Sequence, residues 1–212
     1  CIGGLPGFAF NIARYMRRME QYLVDLALEP EAIMTLHRRI DDILEQMIRQ
    51  YARAGADAVM LGEDWGTQTN LMISPEMWRR IFKPGFVRLC GVAHEVGVKV
   101  FMHSCGKMTS IIPDLIEAGV DVLELLQPDI FGVERLAQTF GGQVCFCCSI
   151  DHQRRAISGT RDEIFAYARL LRDTLGAFNG GYIAYIEDYA SLGMSEQNYQ
   201  WIRQAFHSLN EA

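Results

Sequence analysis

The stretch that decides the fold is GVKVFMHSCG, at residues 97–106. It begins with a glycine, continues as a short run rich in β-branched and aromatic residues, and ends on polar side chains and a second glycine. Such a run between turn residues predicts a β-strand over 98–102. Residues i and i+2 of a strand point to the same face. His103 and Cys105 are therefore expected to lie side by side where the strand ends.

The same arrangement recurs along the chain. Four other apolar runs follow a glycine, and a further candidate strand lies at the start; these are 58–61, 120–123, 144–146, 182–185 and 1–5. Between the runs, amphipathic patterns predict helices over 30–53 and 74–96, a helix opened by a Thr160–Glu163 capping box, and a last helix capped by Ser195. This alternation predicts right-handed βαβ units and a parallel sheet.

The helix over 30–53 carries an apolar stripe. Seven residues of the stripe are expected on one buried face: Ile33, Leu36, Ile40, Ile43, Leu44, Met47 and Ile48. Their spacing follows the helical period.

Polar and reactive residues follow several of the predicted strands. They are Glu63, Asp64, His103, Cys105, Gln127, Cys148, Asp151, Glu187 and Asp188. In a (β/α)8 barrel the strand ends converge on one mouth, where active sites lie. A doubly wound sheet would concentrate these residues at one switch point, and no strand here is followed by G-x-G-x-x-G. We therefore predict an α/β fold of the (β/α)8 TIM-barrel type, as a single domain over 1–212 containing about six βα units.

Composition excludes several classes of protein. The chain has 212 residues, 50% of them hydrophobic, and a net charge of −6, which suits a folded domain and not a disordered one. No apolar stretch is long enough to span a membrane, and no basic cluster suggests nucleic acid as a partner. Six cysteines, three of them within 145–148, indicate a reducing, cytoplasmic setting more than a disulfide framework.

His103 and Cys105 are the strongest candidate ligands. An imidazole nitrogen and a thiolate sulfur bind zinc at about 2.0 and 2.3 Å, although a buried histidine and a small apolar cysteine are also common in protein interiors. A catalytic zinc needs a third protein ligand. Glu187 or Asp188 could supply a carboxylate and Cys148 a second thiolate, and the sequence leaves that choice open.

Further acids and one tyrosine are candidate catalytic residues. Adjacent acids such as Glu63 and Asp64 can have separated pKa values, one serving as acid or base while the other stays charged. Alternatively, Asp64 caps a loop and Glu63 pairs with a basic residue. Asp151 either lines the mouth or caps a turn. Tyr15 lies on the first helix beside three arginines that either hold a carboxylate or form a solvated face.

Three stretches together resemble the uroporphyrinogen decarboxylase superfamily. They are GEDWGTQTNLMISPEMWRRIFKP (62–84), KVFMHSCGKMTSIIPDLIEAGVDVLELLQP (99–128), and CSIDHQ (148–153) followed by GGYIAY (180–185). The resemblance covers essentially the whole chain and implies a (β/α)8 barrel. It also implies an enzyme, either a decarboxylase of the tetrapyrrole pathway or a corrinoid-dependent methyltransferase that uses zinc to move a methyl group to or from a thiol.

The resemblance assigns different residues in the two branches. Tyr15 and Asp151 match cleft residues of the decarboxylases, whereas the histidine that follows their last strand falls at Asp188. His103 and Cys105 match the H-x-C pair of the zinc methyltransferases, whose further cysteine falls at Asp188 or Glu187. By the same resemblance the chain starts near the third barrel strand, and the natural protein is expected to carry roughly 100–150 further N-terminal residues.

The H-x-C match favours zinc-assisted methyl transfer between a corrinoid and a small-molecule thiol. Methylcobalamin would be carried by a partner protein. A polycarboxylate substrate wants a basic cleft, and the strand ends here are acidic. The alternatives are cofactor-free decarboxylation of uroporphyrinogen and an inactive truncated barrel. Six strands leave unpaired edges, which invite association with another chain, so a homo-oligomer is also expected.

Overall fold

The computed structural model describes residues 1–179, 181–186 and 192–209. The strands are β1 (Ile2–Gly4), β2 (Ala58–Gly62), β3 (Lys99–His103), β4 (Val122–Leu125), β5 (Cys145–Cys148) and β6 (Tyr182–Ala184). Their order in the sheet is the order along the chain. The pairs β1–β2, β2–β3 and β5–β6 are parallel. The predicted α/β architecture with six strands is therefore confirmed.

Helices connect the strands. They are α1 (Ala9–Met16), α2 (Met19–Leu28), α3 (Pro30–Arg53), α4 (Pro75–Ile81), α5 (Lys83–Glu95), α6 (Ile112–Ala118), α7 (Val133–Phe140), α8 (Arg155–Ser158), α9 (Arg161–Leu175) and α10 (Glu196–Ser208). No helix in these described ranges is long and apolar enough to cross a membrane. The chain divides into two compact units, residues 1–122 and 123–212.

Helix α3 has the predicted bounds, but its buried face is rotated. Ile33, Ile40, Leu44 and Ile48 are buried as expected, whereas Leu36 and Met47 are only half-buried. The predicted burial of Ile43 is wrong, because its side chain is 60% exposed. The face instead includes His37 and Asp41, both buried. The Tyr22 hydroxyl lies 2.7 Å from His37 Nε2, which satisfies a polar ring inside the core.

The helix predicted over 74–96 is wrong in one respect, because it is two helices. Ser74 caps α4 by accepting a hydrogen bond from the N–H of Met77 at 3.1 Å, and the helix ends at Ile81. Helix α5 then starts at Lys83 with a proline in its first turn. Proline has no N–H to continue a preceding helix and is tolerated in the first turn, so Pro84 explains the break.

Aromatic side chains fill the core of the first unit. Phe8 stacks on Phe86 with ring centres 4.0 Å apart, and Trp65 lies 4.5 Å from Phe10 and 5.9 Å from Trp78. All five side chains are fully buried. Aromatic pairs at such separations add to the stabilisation that burial provides. Trp65 follows Asp64 directly, so this cluster fixes the backbone where β2 ends.

The second unit is organised by capped helices. The Thr160 hydroxyl accepts the N–H of Glu163, and the carboxylate of Glu163 accepts the N–H of Thr160, so the predicted capping box is confirmed. Ser195 caps α10 as predicted. The Asn198 side chain donates to the carbonyls of Ala156 and Ile157, which ties α10 to α8.

Candidate metal site at the ends of β2 and β3

The pairing of β2 with β3 brings two chain segments to one edge of the sheet. Gly62 lies opposite His103 in the parallel register. The residues that follow each strand therefore face each other: Asp64 after β2, and Cys105 after β3. Asp64, His103 and Cys105 each offer a ligand atom, and these atoms all lie within 4.8 Å of one another. We call these three residues the metal triad.

Two separations within the metal triad fit a zinc ion, and the third lies within 4.8 Å. Cys105 Sγ lies 3.5 Å from His103 Nε2, and His103 Nε2 lies 3.6 Å from Asp64 Oδ1. In a tetrahedral zinc site with bonds of about 2.0–2.3 Å, neighbouring ligand atoms are about 3.3–3.8 Å apart. Nitrogen, sulfur and oxygen donors are the set that zinc accepts, and three protein ligands leave a fourth position for substrate.

Backbone hydrogen bonds hold the two segments together. The N–H of Glu63 donates to the carbonyl of His103 at 2.9 Å, and the N–H of Gly66 donates to the carbonyl of Cys105 at 3.2 Å. The N–H of Cys105 donates to Asp64 Oδ1 at 3.0 Å. The positions of the triad are therefore set by main-chain bonds as well as by side-chain packing.

Two glycines make this close crossing possible. A Cβ on Gly66 would lie 2.4 Å from the backbone nitrogen of Lys107, and a Cβ on Gly106 would lie 2.1 Å from the carbonyl oxygen of Gly66. Real Cβ atoms do not approach so closely, so only glycine fits at the contact. The φ of Gly106 is also +75°, in the region that favours glycine.

The two adjacent acids differ in their protonation. The pKa of Asp64 is lowered to about 2, chiefly by its interaction with His103 and also by the N–H of Cys105. The pKa of Glu63 is raised to about 8, because burial removes its carboxyl group from water. At neutral pH Asp64 is therefore a carboxylate and Glu63 a carboxylic acid. Separated pKa values were one of the two alternatives that the sequence left open for this pair, and the catalytic roles stay predictions.

Glu63 holds the start of the first helix. Its Oε1 accepts the N–H of Phe8 at 2.7 Å and of Asn11 at 2.9 Å. These N–H groups belong to the first turn of α1, which has no partner for them within the helix. The Asn11 side chain donates to the carbonyl of Gly62. Glu63 thus pairs with backbone N–H groups, whereas the alternative that the sequence left open for it was pairing with a basic side chain.

Arg14 and Tyr15 lie on α1. A terminal nitrogen of Arg14 is 3.8 Å from Asp64 Oδ2. Its guanidinium carbon lies 5.1 Å from the centre of the Tyr15 ring. The Tyr15 side chain is 76% exposed. The structure therefore places Tyr15 next to Arg14 on an open surface, and its catalytic role stays a prediction.

The remaining site candidates belong to the part of the chain after residue 122. Asp151 is buried, accepts the N–H of Gln153 at 3.1 Å, and has a raised pKa because of burial and the nearby charge of Asp129. Cys148 is fully buried in β5, and burial raises the pKa of its thiol well above the ordinary value. Glu187 and Asp188 lie outside the described residues. The catalytic role of Asp151 and the third-ligand roles of Cys148, Glu187 and Asp188 stay predictions.

Asp64 was predicted as a catalytic residue and not as a candidate metal ligand. The predicted third ligands follow the last two strands, although the strand paired with β3 is β2. The signal was available, because consecutive strands of βαβ units are usually neighbours. Residues two positions beyond adjacent parallel strands then share one edge. The helix-capping role of Glu63 had no comparable signal, since the partner N–H groups lie more than fifty residues away.

The chain is similar to known proteins in both sequence and fold. A family model of uroporphyrinogen decarboxylase (URO-D) matches residues 2–209. The uroporphyrinogen decarboxylase of Thermus thermophilus is 32% identical over 128 residues, which are 58% of this chain and 36% of that protein. A methyltransferase from Methanosarcina mazei superposes with a TM-score of 0.76 at 14% identity, covering 99% of this chain and 58% of that structure. The chain thus spans little more than half of the solved relative and about a third of the curated one.

Proposed function

The chain belongs to the uroporphyrinogen decarboxylase family, and we propose that within it the protein is a zinc-assisted methyltransferase acting between a corrinoid and a thiol. Members with both chemistries are similar to this chain: a decarboxylase in sequence and a methyltransferase in fold. The observation that carries the proposal is the metal triad. Its nitrogen, sulfur and oxygen donors suit zinc and have no evident use in a metal-free decarboxylation.

The residues of the metal triad would hold the ion. His103 supplies a nitrogen, Cys105 a sulfur and Asp64 an oxygen. Bound zinc lowers the pKa of a coordinated thiol and so supplies a thiolate nucleophile at neutral pH. In the absence of metal the pKa of Asp64 is lowered to about 2, chiefly by its interaction with His103, so an ionised carboxylate is available as a ligand at neutral pH. Its carboxylate therefore offsets positive charge in the site without taking up a proton.

Methyl transfer needs a donor that this chain does not itself supply. We propose methylcobalamin carried by a partner protein as the donor and a small-molecule thiol as the acceptor. The overall reaction forms a carbon–sulfur bond, breaks the bond between the methyl group and the corrinoid, and releases the thiol proton to solvent.

All six cysteines are free thiols, which suits a reducing, cytoplasmic compartment. We also propose a homo-oligomer.

Cofactor-free decarboxylation of uroporphyrinogen is the second candidate. It is favoured by the 32% identity to a uroporphyrinogen decarboxylase. Tyr15 and Asp151 would be the residues involved. The partly open strand end of the first unit carries the negative charge of Asp64, and a substrate with many carboxylates requires basic partners. We therefore rank this activity second.

Metal analysis combined with two activity assays tests the proposal. Zinc content is measured after dialysis for the unmodified chain, His103→Ala and the control His94→Ala, which alters a histidine in α5. Methyl transfer from methylcobalamin to 2-mercaptoethanol and decarboxylation of uroporphyrinogen are then measured on the same samples. We expect about one zinc per chain in the unmodified protein and the control, and loss of both zinc and methyl transfer in His103→Ala.

Either of two other results would contradict the proposal. Decarboxylation without metal that is unaffected by His103→Ala would establish the second candidate. Absence of both activities in a chain that folds and binds no zinc would indicate an inactive truncated barrel.

A further inference from the structure

A cleft in the second unit lies between β6 and the C-terminal ends of α9 and α10. Its volume is about 430 Å³, within the range of about 300–1,000 Å³ that small-molecule sites occupy. Arg172 of α9, Tyr182 and Ala184 of β6, and Arg203 and Phe206 of α10 are among the residues that line it. The described residues that line the cleft include no member of the metal triad, so a ligand here is separate from the reaction proposed above.

One wall of the cleft is apolar and fixed in place. Tyr182 and Ala184 are two residues apart on β6, so their side chains point to the same face of the strand. The Tyr182 hydroxyl donates to the carbonyl of Cys148 at 3.2 Å, which holds the ring. Phe206 adds a second aromatic ring from α10 and is 8% exposed. An alkyl chain or aromatic ring that packs here would remove apolar surface from water.

Two hydrogen bonds hold Arg172 at the cleft. Its Nη1 donates to the carbonyl of Leu209 at 3.3 Å, and its Nε donates to Asp173 Oδ1 at 2.7 Å. Asp173 therefore offsets the charge of this guanidinium group. The remaining terminal nitrogen, Nη2, has no hydrogen-bond partner among the described residues and can donate to a ligand.

Arg203 carries a charge that no carboxylate in the described part of the chain offsets. Its Nη1 lies 3.5 Å from Gln200 Oε1, and its guanidinium carbon lies 5.8 Å from the centre of the Tyr199 ring. Cations often offset the dipole at the end of a helix, but this effect falls off within the last turn. Arg203 precedes the last turn of α10, which ends at Ser208. The helix dipole therefore does not account for this arginine.

We propose that the cleft binds a small organic carboxylate with an apolar body. The carboxylate pairs with Arg203 and accepts a hydrogen bond from Arg172 Nη2, because a planar carboxylate matches the N–H groups of a guanidinium. The apolar body lies against Tyr182 and Phe206. Since Asp173 offsets Arg172, the two arginines leave one positive charge in excess, which matches a monoanion better than a phosphate monoester of about −1.5 to −2.

NMR titration of the ¹⁵N-labelled chain at pH 7 tests the inference with three probes: 4-phenylbutyrate, 4-phenyl-1-butanol and butyrate. The alcohol lacks the charge, and butyrate lacks the aromatic body. We expect 4-phenylbutyrate to cause saturable shifts in the backbone N–H signals of β6 and of the end of α10. The other two probes should bind at least about tenfold more weakly, which corresponds to about 1.4 kcal/mol.

A matched pair of variants assigns the charge. Arg203→Gln should bring the affinity for 4-phenylbutyrate within about twofold of that for the alcohol. Arg203 is exposed and makes one long hydrogen bond, so the variant should fold, and unchanged signals in the rest of its spectrum check this. Arg169→Gln removes the same charge from an exposed position of α9 and should keep the preference for the acid.

Four results would overturn the inference. Equal affinities for 4-phenylbutyrate and the alcohol in the unmodified chain would exclude a carboxylate site. A preference for the acid that Arg203→Gln leaves intact would remove Arg203 from the site. Shifts confined to residues outside the cleft would mean that the acid binds elsewhere. Tighter binding of phenyl phosphate than of 4-phenylbutyrate would contradict the choice of a monoanion.

Discussion

Glu63 and Asp64 are adjacent acids that the fold places in opposite environments. The Glu63 side chain is fully buried and accepts two helix N–H groups, whereas Asp64 faces the partly open edge with His103 and Cys105. Neighbouring residues of an extended segment point in opposite directions. One acid therefore supports the scaffold and the other supplies a candidate ligand.

Replacing Asp64 should weaken zinc binding. Asp64→Asn removes the carboxylate charge and leaves a poorer oxygen donor, so we expect zinc affinity to fall at least about tenfold, or about 1.4 kcal/mol. A competition titration with a coloured chelator measures this directly. The control is Asp57→Asn, which removes an exposed carboxylate just before β2 begins. Equal zinc affinity in Asp64→Asn and the control would remove Asp64 from the site.

Asp41 makes stability depend on pH. Burial raises the pKa of its carboxyl group to about 6. The folded chain therefore binds this proton more tightly than the unfolded chain does, and the contribution of Asp41 to stability falls as pH rises from about 4 to 6. Asp41→Asn removes this dependence. Between pH 4 and pH 7, the free energy of unfolding of the variant should rise by about 1–3 kcal/mol relative to that of the unmodified chain, because one pKa unit corresponds to 1.36 kcal/mol.

Urea unfolding of both proteins at pH 4 and pH 7 measures the effect of Asp41. His37 has its pKa lowered to about 4 by burial, so its contribution to stability falls as pH drops from about 6.5 to 4. His37 is present in both proteins and its effect cancels in the difference. A stability difference that stays constant with pH would show that Asp41 is not desolvated.

At the scale of elements, the segments after β2 and β3 form one joined structure. Gly66→Ala places a Cβ 2.5 Å from Gly106 C and 2.4 Å from Lys107 N, so the two segments must separate. We expect a loss of about 1–3 kcal/mol in unfolding free energy, together with weaker zinc binding. Gly91→Ala is the control, because a Cβ there meets nothing within 4 Å. Because Gly91 lies in a helix interior, Gly91→Ala should raise the free energy of unfolding by about 0.5–1 kcal/mol. Unchanged zinc affinity in a folded Gly66→Ala chain would show that the crossing does not position the triad.

Helix α3 offers a test of its observed rotation. Leu44 is 1% exposed and Ile43 is 60% exposed, although the two are adjacent. Leu44→Ala should lower the free energy of unfolding by about 2–5 kcal/mol, as the truncation of a buried leucine usually does. Ile43→Ala should change stability by less than about 0.5 kcal/mol, as exposed positions do. Chemical unfolding of the two variants compares them, and similar losses would contradict the observed face.

The sequence could predict elements better than contacts. The six strands and the caps at Thr160 and Ser195 follow from local patterns, and local patterns fix where an element begins. The break between α4 and α5 could have been predicted from Pro84, but the apolar pattern continues across it and favoured a single helix. The burial of His37 and Asp41 could not be predicted, because their neighbours in space come from other elements. The proximity of Asp64 to His103 and Cys105 could be predicted only by combining the strand order with the parallel register.

At the scale of the whole molecule, the family is established over residues 2–209, while the chemistry is a proposal. Similarity in fold to a methyltransferase and in sequence to a decarboxylase does not choose between the two. Function lies in the residues placed on a fold and not in the fold itself. The choice therefore rests on the metal triad.

Zinc K-edge X-ray absorption of the zinc-loaded chain tests that choice most directly. The account predicts about one zinc per chain with one sulfur neighbour at about 2.3 Å and nitrogen or oxygen neighbours at about 2.0–2.1 Å. Cys105→Ser should remove the sulfur contribution, and His103→Ala should remove the bound zinc. A spectrum with nitrogen and oxygen neighbours alone, or one that neither substitution changes, would contradict a zinc site at Asp64, His103 and Cys105.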